Sequence, residues 1–73
     1  MVTARAKEIV RVLKELGFIE HRQVGSHLTM LRPKDGKRVT VPMHSGDIPT
    51  GTFHRILKQA GITLEEFRRL SRE

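Results

Sequence analysis

The chain has 73 residues and no cysteine, which allows one domain around one small core and excludes disulfides and thiolate metal sites. Fourteen Lys and Arg against eight Asp and Glu give a formal net charge of +6, which points to a polyanionic partner. Three Phe with no Tyr or Trp leave few platforms for stacking single-stranded bases, so RNA contact would rest on backbone charge and shape.

The leading stretch Met1–Glu8 enters a charged, helix-like pattern without an apolar signal core. No run is long and apolar enough to cross a membrane, so a cytoplasmic protein is expected. The spacing of Ala6, Ile9, Val10, Leu13 and Leu16 predicts a helix over residues 4–16, with Thr3 as its N-cap and Gly17 as its stop. Lys7, Arg11 and Lys14 share another face, interrupted by Glu8 and Glu15.

A strand is expected from Phe18 to Val24, with imperfect alternation. Ile19, His21 and Gln23 fall on one face; Phe18, Glu20, Arg22 and Val24 fall on the other. Gly25 then supplies the bend or bulge that lets a second strand begin. Ser26–Arg32 and Lys37–Pro42 alternate on either side of Pro33-Lys34-Asp35-Gly36, a hairpin signal. A two-residue Asp35-Gly36 turn sets Lys34 opposite Lys37, Leu31 opposite Thr40 and, extended further, His44 opposite His27. Leu28, Met30, Val39 and Val41 then share the core face. His27, Thr29, Leu31, Arg38 and Thr40 share the other, so His27 points away from the core, beside a basic residue and hydroxyls.

Pro42 to Gly51 reads as a loop, and Pro49 suits the first turn of the next helix. Phe53, Ile56, Leu57 and Ala60 form that helix's apolar face, and Gly61 ends it. A short last helix starts at a capping box of Thr63 and Glu66, with Ile62 and Phe67 as its hydrophobic staple. The order is helix, three strands, helix, short helix. That is an α+β two-layer sandwich like the double-stranded-RNA-binding domain.

The ordered set Gly17-Phe18, Arg22-Gln23-Val24-Gly25-Ser26-His27, Asp35 to Pro42 and Gly51 to Gly61 resembles the HicA family of toxins. The resemblance runs from about Ala6 to Phe67, so the whole chain, 1–73, reads as a single HicA-like domain. Two departures, Leu28 after the motif histidine and Phe53 in place of a common Leu, leave the motif itself intact. The resemblance implies an mRNA interferase that acts without the ribosome, and a HicB-like antitoxin that covers its active face. It also implies that His27 is the catalytic residue, with Gly25 and Ser26 as motif positions.

Histidine chemistry on RNA needs no metal or cofactor, because the substrate's own 2′-hydroxyl is the nucleophile. Imidazole can take its proton or give one to the leaving 5′-oxygen. His44 is the second group to test as acid or base, against its reading as a surface loop residue. Arg32, Lys37 and Arg38 are candidates for holding the phosphate. The four histidines show no metal-ligand spacing, Asp47 is the one carboxylate near His44, and Ser26 has no triad around it, so neither a metal nor a serine nucleophile is expected. Two rival readings are a non-catalytic double-stranded-RNA-binding module and a subunit whose basic surface meets an acidic protein. The chain has no clear helix-turn-helix reader, so sequence-specific DNA binding is left to the partner.

Overall fold

A computed structural model describes residues 3–44 and 46–72; Met1 and Val2 of the leading stretch, Ser45 of the expected loop and Glu73 lie outside the described residues. The elements are α1 (Ala6–Glu15), β1 (Ile19–Val24), β2 (His27–Arg32), β3 (Lys37–Pro42), α2 (Thr50–Ala60) and α3 (Leu64–Ser71). The strands form an antiparallel sheet in the order β1-β2-β3. This is the expected α+β arrangement, consistent with a double-stranded-RNA-binding-domain-like fold.

The helices cover one face of β2 and β3. Leu28 and Met30 from β2, and Val39 and Val41 from β3, are buried against Ile9 and Leu13 of α1 and Phe53 and Ile56 of α2. Phe67 fastens α3 edge-on to the Phe53 ring, with centroids 5.0 Å apart. Burying side chains of this size stabilises the fold by roughly 1.5–3 kcal/mol each, which is how a domain without cross-links holds together. Val12, outside the expected stripe, is also fully buried, whereas Leu16 is only partly covered.

Helix ends follow local chemistry. At the end of α1, Gly17 N–H donates to Lys14 O and Phe18 N–H to Leu13 O, both at 3.0 Å, which closes the helix and turns the buried Phe18 inward. The α3 capping box is present: Glu66 N–H donates to Thr63 Oγ1 at 3.1 Å and Thr63 N–H to Glu66 Oε1 at 3.0 Å. Thr3, expected to cap α1, does something else. Its hydroxyl donates to Ile48 O, and Ile48 N–H donates to Ala4 O at 3.0 Å. Those bonds and an Arg5–Asp47 bridge keep residues 3–5 extended, so α1 begins at Ala6 with Arg5 as N-cap.

The hairpin register also departs from expectation. Arg32 pairs with Lys37, Leu31 with Arg38, Met30 with Val39 and His27 with Pro42, so the loop has four residues rather than two. Arg32 O accepts from Gly36 N–H at 2.8 Å, and Asp35 Oδ1 accepts from Lys37 N–H at 3.3 Å. A two-residue turn would have placed Pro33, which has no N–H, inside the ladder. The shift is an even number of residues, so every side chain keeps its expected face.

Candidate functional site

The site begins at the turn between β1 and β2. Val24 pairs with His27, leaving Gly25 and Ser26 as the two turn residues. Gly25 has φ +60° at the first of these positions, where a II′-type hairpin turn calls for glycine. Gln23 Nε2 donates to Gly25 O at 3.1 Å, and Met43 N–H donates to Ser26 O. The turn is thus tied at both sides, and it delivers His27 as the first residue of β2.

His27 alternates with the buried Leu28 and therefore stands on the open face of the sheet. It is exposed, and its side chain makes no hydrogen bond or ion pair with any described residue. A histidine serving the fold would be expected to have a partner; this one faces solvent.

Cross-strand pairing defines its surroundings. The open face carries three rows: Val24, His27 and Pro42; then Arg22, Thr29 and Thr40; then Ile19, Leu31 and Arg38. The middle row owes Arg22 to a bulge. The β1–β2 register shifts between Glu20 and Arg22, which sets His21 apart as the extra residue. Ile19 thereby joins Arg22 and Val24 on the open face, although simple alternation separates them. Arg22 is the basic residue nearest to His27 on this face, one row away, or about 7 Å along the strands. Sequence reasoning missed it as a site residue; the broken alternation between Phe18 and Val24 was the signal.

The three expected phosphate-holding residues separate. Arg38 shares the open face but lies opposite Leu31, four residues from His27, or about 13 Å along β2. Arg32 and Lys37 pair with each other and belong to the helix-covered side. Arg32 is built into the fold there. It donates to both Asp35 carboxylate oxygens (3.1 and 2.9 Å) and to Leu16 O (3.2 Å), and its guanidinium lies 4.8 Å from the centre of the Phe18 ring. The Arg32 hydrogen bonds hold the Asp35 carboxyl below the ordinary aspartate range, and the same pair raises Arg32.

His44 is not opposite His27. β3 stops at Pro42, His27's partner, and His44 N–H turns back to Pro42 O at 3.0 Å. The exposed His44 lines a cleft with Arg5, Ala6, Lys7, Met43 and Gly46, at the His27 end of the sheet. His21 and His54 are exposed elsewhere, and among the described residues no three His, Asp or Glu side chains gather into a metal-holding group.

The open face thus combines an unpartnered imidazole, Arg22 and Arg38 as cations, and apolar Val24 and Ile19, which are 60% and 51% exposed. No acidic side chain stands in its three rows. Among the described residues, no helix is long and apolar enough to cross a membrane. Residues 6–62, from the start of α1 to just past α2, match the family model of the HicA toxin of bacterial toxin–antitoxin systems. No curated protein matches the chain.

Proposed function

The chain belongs to the HicA family of bacterial toxin–antitoxin systems, and from that premise we propose that it is an endoribonuclease that cuts mRNA at His27, without a metal ion or the ribosome. The observation that carries this reading is the unpartnered, exposed His27, held by a two-sided turn on an open sheet face beside Arg22.

In the proposed reaction, the ribose 2′-oxygen attacks the adjacent phosphorus. The 2′-O–P bond forms, the P–O5′ bond breaks, and a 2′,3′-cyclic phosphate and a free 5′-hydroxyl result. His27 takes the 2′-hydroxyl proton or supplies the 5′-oxygen proton, and water exchanges the other. Arg22 meets the charge growing on the phosphoryl oxygens, and Arg38 holds the strand further along the face. Arg32 is left out of this role because it stands on the helix-covered side, where Asp35 and Leu16 take three of its N–H groups. One positioned acid or base contributes about 10²–10⁴-fold, so the enzyme is slow unless a second group helps.

The same face suits silencing by a HicB-like antitoxin. Ile19, Val24 and Leu31 offer apolar contact between two arginines, so an acidic partner that covers them also covers His27. Binding selective for the folded chain would stabilise this small domain as well.

The deciding experiment is cleavage of a long labelled mRNA by purified protein in excess EDTA, beside His27→Ala shown to be folded by circular dichroism. EDTA-resistant cutting that vanishes in the variant is expected. Equal cutting by both proteins would remove His27 from the chemistry. Retention of RNA without cutting by either would make the protein a non-catalytic RNA-binding module.

A further inference from the structure

The cleft around His44 has no part in the chemistry above, yet it is joined to the catalytic turn. One wall is the segment after β3, where Met43 N–H donates to Ser26 O, the residue before His27. That wall starts one residue past Pro42, the cross-strand partner of His27, or about 3.8 Å further along the chain. The other wall is Arg5, Ala6 and Lys7. Behind them the two walls are fastened by the Arg5–Asp47 bridge, by Ile48 N–H on Ala4 O at 3.0 Å, and by the Thr3 hydroxyl on Ile48 O. The cleft is therefore preformed.

Its volume is about 400 Å³, within the roughly 300–1,000 Å³ usual for small-molecule sites. The half-buried Met43 provides its exposed apolar surface, with the core residue Ala6 almost fully buried at its edge, and Arg5, Lys7 and His44 complete the lining. Lys7 makes no ion pair with any described residue. Arg5 meets Asp47 only at 3.9 Å, with both side chains largely exposed, a contact that leaves its charge available. A cleft that sets an apolar side chain, Met43, beside two cations, Arg5 and Lys7, fits a flat heterocycle joined to a phosphate.

We propose that this cleft is a subsite for the RNA strand as it passes around the end of the sheet from His27, with one base against Met43 and the adjoining phosphodiester on Lys7 and Arg5. The proposal rests on the RNA-cleaving reading and adds a path to it. It also gives His44 a place beside the strand rather than at the scissile phosphate, and it supplies the base contact that the scarcity of aromatic residues otherwise withholds.

The test separates binding from cutting. Affinity for an uncleavable, fully 2′-O-methylated single-stranded RNA is measured by fluorescence anisotropy across a salt series. The proteins are the full chain, Lys7→Gln, Arg5→Gln, the double variant, and Lys58→Gln as a control that removes one charge from exposed α2 surface. The double variant is expected to lose about tenfold or more in affinity and to flatten the log–log salt slope by about 0.7, as loss of one phosphate contact on a single strand requires, with each single variant falling between it and the full chain. In cleavage of mRNA, KM rises while kcat is kept. Equal effects from Lys7→Gln and Lys58→Gln would reduce the cleft to general charge and overturn the proposal. Unchanged binding in the cleft variants, with Arg22→Gln impaired, would put the strand elsewhere and overturn it while the ribonuclease stands. Failure of the unaltered protein both to bind and to cut RNA would remove both readings together.

Discussion

Along β2, alternate residues meet different surroundings. Leu28 and Met30 are sealed beneath the helices, whereas His27, Thr29 and Leu31 stand on the open side with Arg22 and Arg38. On the covered side, contacts are apolar and Arg32 is tied to Asp35 and Leu16. On the open side, His27 is unpartnered and two valine- and isoleucine-sized groups remain exposed. The difference teaches that the contacts holding the fold and the groups proposed to act on RNA lie on opposite faces of the same strands. They should then respond separately to mutation.

The sharpest break is His27→Ala. Cleavage should fall by about 10²–10⁴-fold, the usual worth of a positioned acid or base. Because the side chain is exposed and bonds to nothing described, the thermal midpoint should stay where it is. A large drop in Tm would mean that His27 serves the fold. One residue position away in face, Met30→Ala is the converse. Met30 is fully buried, so truncation should cost about 2–5 kcal/mol. Denaturant titration reads that loss directly. For a domain whose whole stability is on the order of 0.05–0.15 kcal/mol per residue, much of the chain would unfold at 37 °C. Activity per folded molecule should nevertheless be unchanged.

Arg22→Gln comes next. Cleavage should fall by about tenfold, a modest share of what a preorganised donor contributes, because this arginine is exposed and solvent-screened. Arg38→Gln, two rows from His27, should do less. Equal losses would contradict the row order that the bulge creates. On the covered side the matching small step is Thr63→Ala, which removes the α3 cap and should cost about 1 kcal/mol with no change in cutting.

The covered face was largely legible in the sequence because burial is written as alternation, and alternation survives an even shift in register. Leu28, Met30, Val39 and Val41 therefore kept their face although the turn was two residues longer than the Asp-Gly pair suggested. The α3 capping box was legible for a similar reason: its donors and acceptors are three residues apart. The open face was harder to read. Arg22 reaches it through a bulge at His21, and every residue of β1 is exposed, so no buried side chain marks the phase of that strand. The role of Thr3 is not legible locally because its partner, Ile48, is distant in sequence. Arg32 reads as an available cation because nothing local announces its bond to Leu16 O and its place over Phe18.

The smallest effect concerns the hairpin loop that joins the two buried strands. Asp35 accepts both guanidinium bonds from Arg32 and one from Lys37 N–H, and these hold its carboxyl below the ordinary aspartate range. A carboxyl with a lowered value in the folded state gives stability that is fully present above the unfolded value, near pH 4, and is lost as pH falls through the folded value. Arg32 keeps its charge throughout, so only the carboxyl titrates in this window. Asp35→Asn should therefore lower Tm slightly at pH 7, and the difference from the unaltered protein should shrink as pH falls below about 4. Thermal melts at several pH values check the sign. A gap that widened in acid would mean that the folded state favours the protonated carboxyl, and the Arg32–Asp35 contact would not be what closes this loop. Because Arg32 also rests on Phe18 and Leu16, the same melts ask whether the covered face depends on a charge at its rim or on the packing beneath it. Retention of most of the thermal midpoint in Asp35→Asn would assign that role to the packing.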